Sequence, residues 1–570
     1  MKLFKRNFFT SVIHYLKGII IFHNNSALLL ITLQILFVLF ICDISYGQIG
    51  DYNLNSTATR TFYVSNYGND QNSGLSEDKA WNSLKKVSAY IFKKGDVIQF
   101  RGGDLFKGNL LFNNESGTDT EPIRITSYGL GRAVLRAEKE IGLAILHNGG
   151  FIIENIEIAG LYDPDKDYSK KYSKPYAGIQ VFTYAKRKSN KIIIRDCIIR
   201  NFKNNGISLG GDKVPQYGYT NIKIENNTIY DCGDIGIMLW GLVYQDILVS
   251  GNKIFDIKGV NPHLHGFSGN GISLSHIYNA KVERNLIYNN GKYAFYSGGG
   301  IVTGESRNIN VSYNEIYGIK SNNTVDGDAI DFDNGSDSCI AEYNYTHQND
   351  GASVLISGES NGTGSDNNIV RFNISKNDGL RNNLAAIKIY STAGAKNNRI
   401  YNNTIISTGI GKNTPVCFKI QGPTTNTTVE NNIFYTVNFA MMINIDESRQ
   451  NNLILRSNSY FANNTMFVVI MGKKSYKSFD EFVNATGQEK SGNDISGIFG
   501  DPKLRNPLTK RDTVNNAYKI DTLTAYKLNS FSPLINAGVK VQLNFSPAET
   551  DFYGNPLSLE TPPEIGASEF

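Results

Sequence analysis

An asparagine that returns about every thirty residues constrains this chain more than any other feature. Asn227, Asn252, Asn285, Asn314, Asn344, Asn373, Asn403, Asn432 and Asn458 form the series. Three positions before each stands an aliphatic residue: Ile224, Val249, Val282, Val311, Ala341, Val370, Ile400, Val429 and Leu455. Asp196 and, more loosely, Asn155 extend the series upstream. A fixed offset means that one residue per repeat fills one geometric slot. Inside the repeats the alternation has period two, with Ile222 and Ile224 facing one way and Lys223 and Glu225 the other. A helical period is not visible, so the repeats are built from strands. Coils stacked at about 4.8 Å set like residues above like. Aliphatic columns then fill the bore, and Asn side chains bond along a ladder.

A further strand recurs in each repeat, as Gly206-Ile-Ser-Leu209, Gly236-Ile-Met-Leu239, Gly271-Ile-Ser-Leu274, Gly300-Ile-Val-Thr303, Ala329-Ile-Asp-Phe332, Ala386-Ile-Lys-Ile389 and Cys417-Phe-Lys-Ile420. Its apolar members point inward and the residues between them point out. The connection leading into it varies in length, whereas the Asn turn does not. Variable loops on a fixed scaffold are where function is carried. The 54 Gly and the Asn pairs suit tight left-handed turns.

The N-terminus reads as an export signal. Lys2, Lys5, Arg6 and Lys17 precede the apolar run Ala27 to Cys42, and a polar stretch follows with cleavage expected near Gly47. The division expected is a signal peptide over 1–47, a linker over 48–60, a cap with the first coils over 61–150, the helix over 151–465 and a capping segment over 466–570. Four Lys/Arg against one Asp in residues 1–47 carry +3 of the formal +5, which leaves the remainder near +2. Without a basic block, a nucleic-acid surface is excluded. Cys197, Cys232, Cys339 and Cys417 have no paired or metal-ligand spacing and read as buried apolar residues. The protein is expected outside the cell or on its surface, as a monomer free of the membrane once the signal is removed.

The repeats, with Phe62-Tyr-Val-Ser-Asn66, Gly95-Asp-Val-Ile-Gln-Phe100, Ser116-Gly-Thr118 and Pro122-Ile-Arg-Ile-Thr126 ahead of them, resemble the pectate-lyase-like superfamily of secreted right-handed β-helices. The tail motifs Ser532-Pro-Leu-Ile-Asn-Ala-Gly538, Asp551-Phe-Tyr-Gly554 and Glu564-Ile-Gly-Ala-Ser-Glu569 resemble the closing segment of such proteins. The resemblance covers roughly residues 60 to 465. It implies an all-β, right-handed parallel β-helix solenoid of about 10–12 coils, capped at both ends, that handles polysaccharide. Ala386-Ile-Lys388 is similar to the Arg-Ile-Lys of the polygalacturonase branch, but no Gly-His-Gly lies between it and the acidic cluster.

That cluster is Asp326-Gly-Asp-Ala-Ile-Asp-Phe-Asp333. With Ile330 and Phe332 inward, Asp331 and Asp333 project from the outer face with Cα atoms about 6–7 Å apart. Asp326 and Asp328 sit just upstream. Crowded carboxylates repel, so some stay protonated or a cation lies among them. In the first case Asp331, Asp333 and Asp328 supply the acid and base of glycoside hydrolysis. In the second, Asp326, Asp328, Asp331 and Asp333 hold Ca²⁺, and Lys388 removes a ring proton in polysaccharide β-elimination. Lys388 is expected in the same outward column as Asp331 two coils later, with Lys419 one coil further as a candidate substrate contact. His263 and His265 in the longest loop, with His276 and His347 near the cluster, and the aromatics Trp240, Tyr293, Tyr296 and Tyr390 are candidate sugar contacts. A glycan-binding surface module or adhesin is the non-enzymatic alternative.

Overall fold

The computed structural model describes residues 59–570, except 114, 138–140, 168–176, 185–187, 212–217, 261–266, 296–297, 323–324, 360–363, 382–383, 511–512, 542–547 and 559. The chain winds as a parallel β-solenoid whose coils each contribute three strands. First strands such as Gly218–Glu225 lead into the ladder Asn, short second strands such as Thr228–Tyr230 follow it, and third strands such as Ile330–Asp333 complete the coil. Among the described residues the second strands form one 14-stranded sheet, and the first and third strands join in a 27-stranded one. Successive third strands pair in parallel without slipping: Ile207 lies against Ile237, Ile237 against Ile272, Ile272 against Ile301 and Ile301 against Ile330. All five side chains are fully buried. A one-residue slip would turn this whole column to water, so the apolar pattern fixes the register.

The asparagine ladder holds the turn between first and second strands. Asn227 donates from its backbone N and its Nδ2 to Oδ1 of Asn252, each at 3.0 Å, and Nδ2 also reaches the Ile194 carbonyl at 2.9 Å. Asn252, Asn285, Asn314, Asn344, Asn373, Asn403 and Asn432 repeat the move down to Asn458. Each buried amide group is thereby satisfied by the next coil. The ladder ends on Glu489, whose carboxylate accepts from Asn458 N and Nδ2 and from the Tyr460 hydroxyl. Upstream the sequence reading slips by one. Arg195 pairs with Glu225, so Asp196 lies beside Asn226, and both take the left-handed conformation with φ of 54° and 55°. The ladder slot belongs to Cys197, whose N donates to Asn227 Oδ1 at 3.0 Å. Asn155, with φ of 49°, is likewise one position early. Asp and Asn tolerate left-handed backbone, which explains the false match. The four cysteines described are free and buried.

Both ends of the bore are covered. Phe62, Trp81, Tyr90 and Phe92 pack as an aromatic plug beside the helix Leu84–Ser88. At the far end the helix Phe479–Thr486 starts on a Ser478 cap and stops at Gly487, left-handed with φ of 68°. It presents Phe479 and Phe482 to Tyr460. Parallel pairing begins at Thr61, which lies against Val97, and reaches Ile498 against Ser459. Beyond it the chain turns back as a strap along earlier coils. Val514 N and Asn516 N donate to the buried Glu315 carboxylate at 2.7 and 3.0 Å. Leu534 and Ile565 pack with Ile374 and Ile433. Among the described residues no helix is long and apolar enough to cross a membrane; the expected leader lies outside them.

Candidate active site

The third strand Ile330–Asp333 alternates as expected, with Ile330 and Phe332 fully buried and Asp331 and Asp333 on the outer face. Upstream, Asp328 is 5% exposed. Its Oδ1 accepts a hydrogen bond from Ala352 N, one coil later. Only glycine at 351 permits that approach, because a Cβ there would sit 2.4 Å from the same oxygen. Asp333 Oδ1 accepts from Asn334 N at 2.9 Å, and the Ser357 hydroxyl also donates to the carboxylate. Asp331 differs from both: its Oδ1 is buried and has no hydrogen-bond partner.

These environments set the proton affinities. Burial, reinforced by Asp326, pushes Asp328 up to about 7. Burial, then Asp333 and Asp328, holds Asp331 well above the usual carboxylate range. Asp333 rises to about 6, chiefly by burial, with the Asn334 amide working against the rise. An unpartnered buried oxygen is costly when ionised, so Asp331 keeps its proton most firmly. Asp333, with two donors, is the better carboxylate. Both groups lie on one strand face about 6–7 Å apart at Cα.

Strand register places the lysines. Asp331 lies against Leu355, Leu355 against Lys388, and Lys388 against Lys419. The expected outward column therefore exists, with Leu355 as the spacer that sequence reasoning passed over. Lys388 Nζ rests 4.9 Å from the Tyr390 ring centroid. Burial lowers both lysines; for Lys388 the neighbouring Asp328 opposes the effect and Lys419 adds to it. Asp326 stands at the loop end with φ of 66°. The four Asp are not gathered as a cation cage: among the described residues no group of three or more His, Cys, Asp or Glu could hold a metal ion. Asp331 and Asp333 project from the strand, whereas Asp328 turns to the Ala352 amide.

Other expected contacts fall elsewhere. Trp240, taken as an exposed platform, is 5% exposed and stacks on Phe182 at 5.5 Å. It lies over Gly210, where a Cβ would meet the indole at 2.1 Å. His347 does not join the cluster. It is fully buried on a second strand, stacked between Tyr317 and Tyr345 at 4.7 Å from each. The Tyr293 hydroxyl donates to Asp165 at 2.7 Å. His276 pairs with Glu305 and Ser275. His263, His265 and Tyr296 lie outside the described residues.

Residues 142–325 match the family described as the right handed beta helix region. A lacto-N-biosidase of Bifidobacterium longum subsp. longum is 23% identical over 89% of this chain, which spans 36% of that protein's length. The crystal structure of a GH136 lacto-N-biosidase from Eubacterium ramulus is 17% identical with a TM-score of 0.45, over 69% of this chain and 68% of that one. Pectate lyase Pel9A is 14% identical with a TM-score of 0.43, over 90% and 97%. With the ladder, the three-stranded coils and the matched region in agreement, the protein is a right-handed parallel β-helix.

Proposed function

We propose that the protein is an extracellular glycoside hydrolase that cleaves a polysaccharide lying along its third strands, at Asp331 and Asp333. The observation that carries this reading is the unlike pair: a buried Asp331 oxygen without a partner, two residues from an Asp333 that accepts two hydrogen bonds. Asp331, protonated, donates to the leaving glycosidic oxygen. Asp333, ionised, acts on the anomeric carbon directly or through water. Environments that split two carboxyls into acid and base are how glycosidases work at neutral pH. The similarity to a protein named lacto-N-biosidase supports glycosidic chemistry without fixing the sugar.

A second reading, calcium-assisted β-elimination with Lys388 as base, has one observation in its favour: burial lowers the Lys388 ammonium. A panel of polysaccharides incubated with and without Ca²⁺ and chelator separates the readings. Hydrolysis predicts new reducing ends, no unsaturated uronide absorbance and no effect of chelator. Chelator-sensitive absorbance overturns it in favour of elimination. Binding across the panel without any cleavage overturns both in favour of an adhesin.

A further inference from the structure

We infer that a cleft between the C-terminal strap and the ladder turns is a second carbohydrate site, which takes one neutral pyranose unit between Arg284 and Asp521. The residue just before each ladder asparagine adopts the left-handed conformation. In the flanking coils it is Asn226, Gly251, Asn402 or Asn431, which tolerate that backbone. In four consecutive coils it is Arg284, Tyr313, Tyr343 and Phe372, with φ of 56°, 56°, 56° and 50°, and these side chains do not favour it. The strap accounts for two of them. Tyr343 and Phe372 are buried with Phe552 in one apolar cluster, and the Tyr343 hydroxyl donates to the Thr550 carbonyl at 3.0 Å. Arg284 is not in that cluster. Its guanidinium lies 4.7 Å from the Tyr313 ring centroid and 5.5 Å from that of Tyr518 on the strap.

These three side chains line a cleft of about 180 Å³ together with Asp521 and Tyr553. Tyr518 is 53% exposed, and Gly251 makes room for its hydroxyl, since a Cβ there would sit 2.5 Å from the oxygen. Among the described residues neither Arg284 nor Asp521 forms an ion pair or a side-chain hydrogen bond, with each other or with any other group. Unlike charges that share a cleft and stay unpaired offer donors and acceptors to whatever lies between them. An anion would meet Asp521 and a cation would meet Arg284. A neutral sugar suits both, because its hydroxyls accept from the guanidinium and donate to the carboxylate. Its C–H face packs on tyrosine. The volume lies below the roughly 300–1,000 Å³ of drug-sized pockets, which limits the occupant to a single ring. The cleft sits at the turns between first and second strands, whereas Asp331 lies on a third strand, so the inference does not depend on the hydrolase reading. Polysaccharide held there stays at high effective concentration around the solenoid.

The full chain is titrated by ligand-observed NMR with the methyl glycosides of glucose, galactose, xylose and N-acetylglucosamine, and with methyl glucuronide. At least one neutral glycoside should bind with a Kd of about 1 mM, more tightly than the glucuronide. Asp521→Asn and Arg284→Asn should each weaken that binding about tenfold or more. Asp521 is exposed and makes no side-chain contact of its own, so its variant reads the cleft without disturbing the fold. Asparagine in place of Arg284 suits the left-handed backbone. Asp331→Asn should leave the binding unchanged. If no neutral glycoside binds, if the glucuronide binds more tightly, or if binding survives both cleft variants, the inference is wrong. Cleavage of polysaccharide by the same variants is followed in parallel. Cleft binding without any cleavage would sink the hydrolase and keep the second site, and binding lost only in Asp331→Asn would do the reverse.

Discussion

Along the ladder each buried asparagine from Asn252 to Asn432 donates twice to its counterpart on the next coil and accepts twice from the one before. On the third strand of the same coils, Asp331 carries a buried oxygen that nothing meets. Both rows obey one register, so the difference is not one of fold precision. A solenoid repeats its neighbours, and a polar group repeated in every coil is satisfied by its own copies. An aspartate that appears once, against Val302 before it and Leu355 after it, has no copy to pair with. Under the proposed reading, a break in a column is a sharper pointer to a site than polarity is. The ladder is polar throughout and purely structural.

The largest effect expected on the ladder side is that of Asn314→Ala. It strips acceptors from Asn285 N and Nδ2 and donors from Val282 O and Asn344 Oδ1. Denaturant unfolding should record a loss of about 3–5 kcal/mol. A loss under about 1 kcal/mol would mean that water replaces the ladder, and the contrast between the rows would fall. Trp240→Ala comes next, with about 2–4 kcal/mol lost by uncovering Gly210 and Phe182. Glycan binding and cleavage should be retained below the new melting point. If they vanish while stability holds, Trp240 is a sugar platform after all.

The third expected effect is one of pH, and its sign is the observable. Asp328 and Asp333 release their protons near 7 and near 6 in the folded chain, against about 3.9 when unfolded. The folded state therefore binds more protons between those limits. The stability these groups contribute is complete below pH ~4 and is lost as pH rises through 6 to 7. Asp328→Asn/Asp333→Asn should match the parent at pH 4 and exceed it at pH 8 in thermal unfolding. Equal curves at both pH values would show that the carboxyls are not perturbed.

Much of this was legible beforehand, because a column in a solenoid is a statement about sequence spacing. The ladder positions from Asn227 onward, the inward Ile330 and Phe332, and the shared column of Asp331, Lys388 and Lys419 all follow from one period. What escaped the reading depends on contacts the period does not encode. Trp240 is buried because Gly210, one coil earlier, leaves room for an indole to fold down. His347 belongs to a second-strand stack that begins at Tyr230 and runs through Phe255, Tyr288 and Tyr317. The Ala352 amide on Asp328 arrives through a loop whose length varies from coil to coil. The strap of residues 501–570 reaches back to Glu315 across some two hundred positions, a pairing no local pattern announces.

Cleavage rate and melting temperature, measured together for Asp331→Asn and Asp333→Asn, test the central claim most directly. The account predicts that either variant loses about 10²–10⁴-fold in rate while melting no lower than the parent, since each relieves a buried, repelled carboxyl. Variants that cleave as fast as the parent, or that lose activity only in step with a falling melting temperature, would contradict it.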